Sequence, residues 1–157
     1  MKFHLATVNI ADSKYTYEDP AFAGFVDNLD RINAIADASP GFVWRYIADD
    51  DEAEVKRVFA SDTLLFNMSL WVSLEHLRRF AFESDHVDIL RQRGKWFSPM
   101  DRPSLVLWWQ PADGIPSVTE AKHRLECLAQ TGPSIDAFTF RTAFDPPTED
   151  TDQDDAA

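Results

Sequence analysis

The sequence predicts an α+β domain in which an antiparallel sheet carries helices on one face. Three observations lead there. Four separate runs, 3–10, 42–48, 63–72 and 104–110, are short and rich in apolar and aromatic residues, as strands are. Other runs space their apolar residues by three and four, as amphipathic helices do. A chain of 157 residues with 45% hydrophobic content is long enough for one domain with its own core.

The first strand spans residues 3–10, with Phe3, Leu5, Thr7 and Asn9 on one face and His4, Ala6, Val8 and Ile10 on the other. Asp19-Pro20 then supplies an N-cap and a first-turn proline. Phe22, Phe25, Val26, Leu29, Ile32 and Ala36 form the apolar stripe of the first helix, which Ser39-Pro40-Gly41 ends. Strands follow over 42–48 and 63–72, the second being the strongest β signal in the chain. Between them Asp49, Asp50, Asp51, Glu52 and Glu54 read as an exposed hairpin loop; the run lacks the alternating ligands, glycine and final Glu of a calcium loop.

Ser73 caps a helix over 74–82, and Ser84 a further turn-rich helix bearing Val87, Leu90, Gly94 and Phe97. A fourth strand covers 104–110. Ser117-Val118-Thr119-Glu120 is a capping box that opens a last helix closed near Gly132, and 137–141 is an edge strand or an extended arm. The order is β-α-β-β-α-β with one appended helix, the ferredoxin-like arrangement. Residues 1–144 make the domain; 145–157 make an acidic tail expected to be disordered, with Asp145, Glu149, Asp150, Asp152, Asp154 and Asp155 and no base.

One sheet face is expected to carry Leu5, Thr7, Asn9, Phe42, Trp44, Tyr46, Asn67, Ser69 and Trp71. Left in water, it would be a large exposed aromatic patch. A homodimer closing two sheets face to face would cover it, as would a small-molecule ligand, and the two are compatible.

Charge narrows the partners. Lys and Arg total 15 against 27 Asp and Glu, a net charge of -12. That argues against nucleic acid and against anionic membranes, both of which need clustered bases. Residues 1–14 lack the apolar run and cleavage site of a signal peptide. The lone Cys127 can form no internal disulfide, so a cytoplasmic location is the simplest expectation.

The stretch from Asn67 to Glu75, a strand ending in Trp71 that runs into a helix, with Phe80 nine residues on, resembles the junction found in the dimeric α+β barrel superfamily. That superfamily includes antibiotic-biosynthesis monooxygenases and heme-degrading monooxygenases. More closely, residues 24–33, 39–44, 67–71, 93–97 and Leu107-Trp108-Trp109 are similar to a bacterial domain-of-unknown-function family, number 3291. Fold likeness does not fix function. The resemblance implies a dimeric α+β barrel and a small-molecule enzyme, a monooxygenase or isomerase working without cofactor or metal on an aromatic or polyketide-like substrate. The heme-degrading members use an Asn on strand one, a Trp on helix two and a His ligand. Asn9 matches the first; counting from Trp71, Phe80 and Leu90 stand where the Trp and His belong, and His86 lies one turn before Leu90.

Asn67 and Asn9 are amides on apolar strands. Each either holds a substrate carbonyl or enolate oxygen or bonds a neighbouring backbone group. His86 opens a helix, whose N-terminus favours neutral imidazole; it is either a general base or a surface histidine. Trp44, Tyr46, Trp71 and Trp96 either line a pocket for a planar ligand or pack in the core. Arg93 belongs to a basic stretch, Arg78 to Arg102, that either draws an anionic substrate or forms surface ion pairs. Non-catalytic ligand binding, or a stress-related role, and heme binding are the alternatives. Phosphate loops, nucleophile elbows and zinc-ligand spacings are absent from the sequence.

Overall fold

A computed structural model describes residues 2–16, 18–47, 53–84 and 86–147. The elements in order are β1 (Phe3–Ser13), α1 (Ala23–Ala38), β2 (Phe42–Arg45), α2 (Ala53–Phe59), β3 (Leu64–Trp71), α3 (Leu74–Glu83), α4 (His86–Trp96), β4 (Phe97–Ser98), β5 (Leu105–Pro111) and α5 (Val118–Thr131). A single 3-10 turn, Pro20–Phe22, leads into α1, with Asp19 accepting from Ala21 N. The five strands form one open antiparallel sheet: β2 pairs β3, β3 pairs β1, and β1 pairs β4 at one end and β5 along most of its length.

The caps read from sequence do the work expected of them. Ser73 accepts from His76 N at the start of α3, and Ser117 from Glu120 N at the start of α5. Each satisfies one of the free N–H groups that open a helix. Gly132 ends α5 with a positive φ of 74°, a conformation that costs glycine little.

The helices lie on both faces of the sheet, not on one. Ala6, Val8, Met68, Leu70, Val106 and Trp108 form a core with Val55 of α2 and Val118, Ala121, Leu125 and Leu128 of α5. The alternate residues Leu5, Trp71 and Leu107 pack with Ala36 of α1, Leu77 of α3 and Phe138. These are called the Ala6 face and the Leu5 face below. The reason is visible in the strands: β1, β3 and β5 carry apolar residues at consecutive positions, so both faces must be covered. The aromatic Leu5 face is thus shielded largely within the chain itself.

A bulge changes which residues share a face. Phe42 pairs with Trp71, but Trp44 pairs with Leu70, and the register shifts between them. One extra residue flips every side chain beyond it. Trp44 and Tyr46 therefore pack against the Ala6 core, away from Trp71, contrary to the alternation read from sequence. Tyr46 donates its hydroxyl to Glu54 at 3.0 Å. Glu54 belongs to α2, whose Val55 is 3% exposed, so this part of the connection is a packed helix rather than a loop. Asp49 to Glu52 lie outside the described residues.

The 137–141 segment is an arm. Leu107 and Phe138 exchange two backbone hydrogen bonds of 2.8 Å as an isolated bridge, and Phe138 is fully buried. Residues 145–147 are described and exposed; 148–157, most of the expected disordered tail, lie outside the described residues.

Candidate functional site

β1 and β3 are the central strands, and on the Leu5 face they present a ladder of polar pairs. Thr7 stands opposite Ser69, and Asn9 opposite Asn67. Thr7 and Ser69 are nearly buried, at 8% and 9% exposure. Asn9 and Asn67 are exposed, although they sit in the middle of the sheet. Directly opposed side chains on one face lie about 5 Å apart at Cβ. Two amides so placed can grip one planar polar group from neighbouring points.

Two helices run along this face between the same two ends. At one end, Ala36 near the end of α1 packs with Leu5 and Trp71, and His86 at the start of α4 lies against Phe80, ring centroids 5.0 Å apart. At the other end, Trp96 closes α4 against Phe25 at 5.7 Å and Phe97 at 6.5 Å. A Cβ on Gly24 would come within 3.1 Å of the Trp96 ring, so α1 approaches closely here because that residue has no side chain. The Asn9–Asn67 pair falls between these ends and is left open.

His86 joins the Leu5 face through a chain of contacts. Its Nδ1 donates to Ala81 O at 3.1 Å. Phe80 stacks on Trp71 at 5.2 Å and 25°. Trp71, fully buried, donates Nε1–H to Ser69 Oγ at 2.9 Å. Because a carbonyl can only accept, the Ala81 bond places the ring proton on Nδ1 and leaves the Nε2 lone pair free. Burial lowers the imidazole pKa below its usual value, and the bond to Ala81 O offsets part of that. Neutral imidazole is thus the favoured form.

The sequence-predicted residues therefore divide. Asn9, Asn67, Trp71 and His86 share the Leu5 side; Trp44 and Tyr46 lie on the other. Trp96 is 4% exposed and part of an aromatic cluster. Arg93 is exposed and borders a shallow cleft with Leu90, Arg91 and Gly94 on the flank of α4. Ser69 and Phe80, which link Trp71 to the polar ladder and to His86, were read from sequence but not as candidate site residues. Ser69 carried a signal, standing two residues after Asn67 and two before Trp71, on the same strand face. Among the described residues no group of three His, Cys, Asp or Glu side chains is placed to hold a metal ion, and no helix is long and apolar enough to cross a membrane.

The fold is similar to that of the crystal structure of the NE2512 protein of unknown function from Nitrosomonas europaea. The TM-score is 0.50, covering 73% of this chain and 96% of that one, at 11% identity, which makes it a likeness of fold alone. No curated protein matches the chain significantly. Residues 4–154 match the family described as a domain of unknown function, DUF3291, and the chain belongs to that family.

Proposed function

We propose that this protein is a small-molecule enzyme, resembling cofactor-independent monooxygenases, that acts on a planar aromatic or polyketide-like substrate on the Leu5 face. The observation that carries the reading is the exposed Asn9–Asn67 pair on the two central strands, beside the nearly buried Thr7–Ser69 pair. Exposed amides on central strands add little to a core, and they provide donors for an oxygen that gains charge.

In this reading the neutral His86 takes a proton from an acidic carbon of the substrate at Nε2. The resulting enolate oxygen receives hydrogen bonds from the amides of Asn67 and Asn9. Phe80, backed by the buried Trp71, supplies the aromatic wall. Dioxygen then oxidises the substrate itself. Conversion of a methylene to a carbonyl, CH2 + O2 → C=O + H2O, balances without an external reductant. Bringing His86 to the amide pair requires a substrate long enough to span them, because the contacts that connect the two run through Ser69, Trp71 and Phe80.

The strand order β2-β3-β1-β5 supports the ferredoxin-like reading and, with it, a homodimer, though not one that closes two sheets into a barrel. Since helices cover both faces, such a dimer forms through helices or sheet edges rather than through two bare sheets. Light scattering on the purified chain is expected to give twice the monomer mass.

The test of the enzyme reading is oxygen uptake with electron-rich polycyclic phenols carrying an acidic methylene. Uptake and incorporation of one atom from 18O2 are expected, with loss of both in Asn67→Ala. Deuterium exchange from heavy water without oxygen uptake would point to an isomerase at the same residues. Neither signal across the panel would leave ligand binding without catalysis.

A further inference from the structure

A second cleft lies where β1 begins, away from the amide pair. It holds about 370 Å³ and is lined by the rings of Phe3, Trp109 and Phe144 together with Glu75 and Asp145. That is within the size range of small-molecule pockets, roughly 300–1,000 Å³. Phe3 and Asn9 are both in β1, roughly 20 Å apart at about 3.3 Å per residue.

The C-terminal arm builds the outer wall. Beyond the Phe138 bridge, Arg78 donates to Phe140 O at 2.7 Å, and Trp109 donates Nε1–H to Phe144 O at 2.8 Å. The Phe144 ring rests on Phe138 at 5.6 Å. With its N–H occupied, Trp109 has ring surface left to offer the cleft.

The polar groups around the cleft select against anions. α3 starts here, but Ser73 already caps it: Oγ accepts from His76 N at 3.2 Å and is bonded to His76 Nδ1 at 2.7 Å. Among the described residues no Lys, Arg or His lines the space. Glu75 gives one carboxylate oxygen, Oε1, to Arg79 at 2.6 Å. Asp145 has no ion-pair partner among the described residues. Aromatic faces with carboxylates beside them suit a cation that also has apolar surface.

We propose that this cleft binds a small organic cation with an apolar body, an alkyl- or aryl-substituted ammonium. The charge sits near Asp145 and Glu75, and the body lies against Phe3, Trp109 and Phe144. This rests on different residues from the proposed active site and stands or falls separately.

Calorimetric titration of the full chain tests it with three probes of one shape: benzyltrimethylammonium, benzyl alcohol and phenylacetate. Saturable one-to-one binding of the ammonium is expected, weaker binding of the alcohol, and none of phenylacetate. The double variant Glu75→Gln, Asp145→Asn is expected to weaken the ammonium roughly tenfold. Both side chains are exposed, so the variant should unfold at the wild-type temperature. Asn67→Ala should leave ammonium binding unchanged. Absence of saturable ammonium binding, equal binding of all three probes, or wild-type affinity in the double variant would overturn the proposal.

Discussion

Both faces of the sheet bury aliphatic and aromatic side chains, the Ala6 face more of them, and the two differ in what they do with polar groups. On the Ala6 face most polar groups are paired under cover, although the buried Arg124 Nε has no hydrogen-bond partner. Gln110, 8% exposed, accepts from Trp108 Nε1 at 3.1 Å, and Arg124 lies over the Trp108 ring at 5.3 Å while pairing with Glu120 at 2.9 Å. On the Leu5 face the same strands end the dry region at Thr7 and Ser69 and open to solvent at Asn9 and Asn67. Closure by α2 and α5 makes the first face a structural core. Incomplete closure by α1, α3 and α4 leaves the second with two exposed amides.

That contrast can be broken from its strongest side first. Trp108→Ala empties a fully buried site on the Ala6 face and is expected to cost about 3–5 kcal/mol, read from urea unfolding. A loss under about 1 kcal/mol would mean that α5 is not packed as a core helix. Gly41→Ala comes next. Gly41 has φ of 83°, and an added Cβ would lie 2.3 Å from the His76 ring, so strain of about 1–3 kcal/mol is expected and should lower the melting temperature. Ser117→Ala removes the cap of α5 and should cost about 1 kcal/mol in the same assay.

His86 gives a pH test on the Leu5 side. Its folded pKa is lowered, chiefly by burial. Between the folded value and the usual histidine value, the unfolded chain binds more protons than the folded one. Stability from this group is therefore present above the usual value and is lost as pH falls toward the folded one. His86→Gln should flatten the dependence of the urea midpoint between about pH 7 and pH 5. His4, lowered by burial and then by Lys2, contributes in the same direction and accounts for part of the remaining slope. An unchanged slope in the variant would mean that the ring is solvated.

The smallest effect on stability is expected where the proposed effect on function is largest. Asn67→Ala should change stability by no more than about 0.5 kcal/mol, because the side chain is exposed. It should lower turnover by about a hundredfold if its amide stabilises an enolate. A stability loss near that of Trp108→Ala would make the two faces alike and remove the case for a site.

Much of this contrast was legible along the chain. Ser73 and Ser117 announced α3 and α5 because capping is a local bond between neighbours three residues apart. The β1 and β3 alternation placed Asn9, Asn67 and Trp71 on one face, and the pairing confirms that they share it. The side taken by Trp44 and Tyr46 was not legible: the bulge after Phe42 is decided by pairing with β3, a partner distant in sequence. Helix α2 was hidden by its acidic surroundings, since Val55 counts as core only once α5 packs near it.

Composition and local periodicity thus determined most element types and boundaries, α2 and β4 excepted, and the acidic character of the chain. Those properties arise from neighbours in sequence. Tertiary structure alone decided that helices cover both faces, that Phe80 links His86 to Trp71, and that the C-terminal arm walls a cleft beside Trp109. Each of those depends on contacts between segments far apart in sequence, and a strand apolar on both sides does not say which helix will cover which.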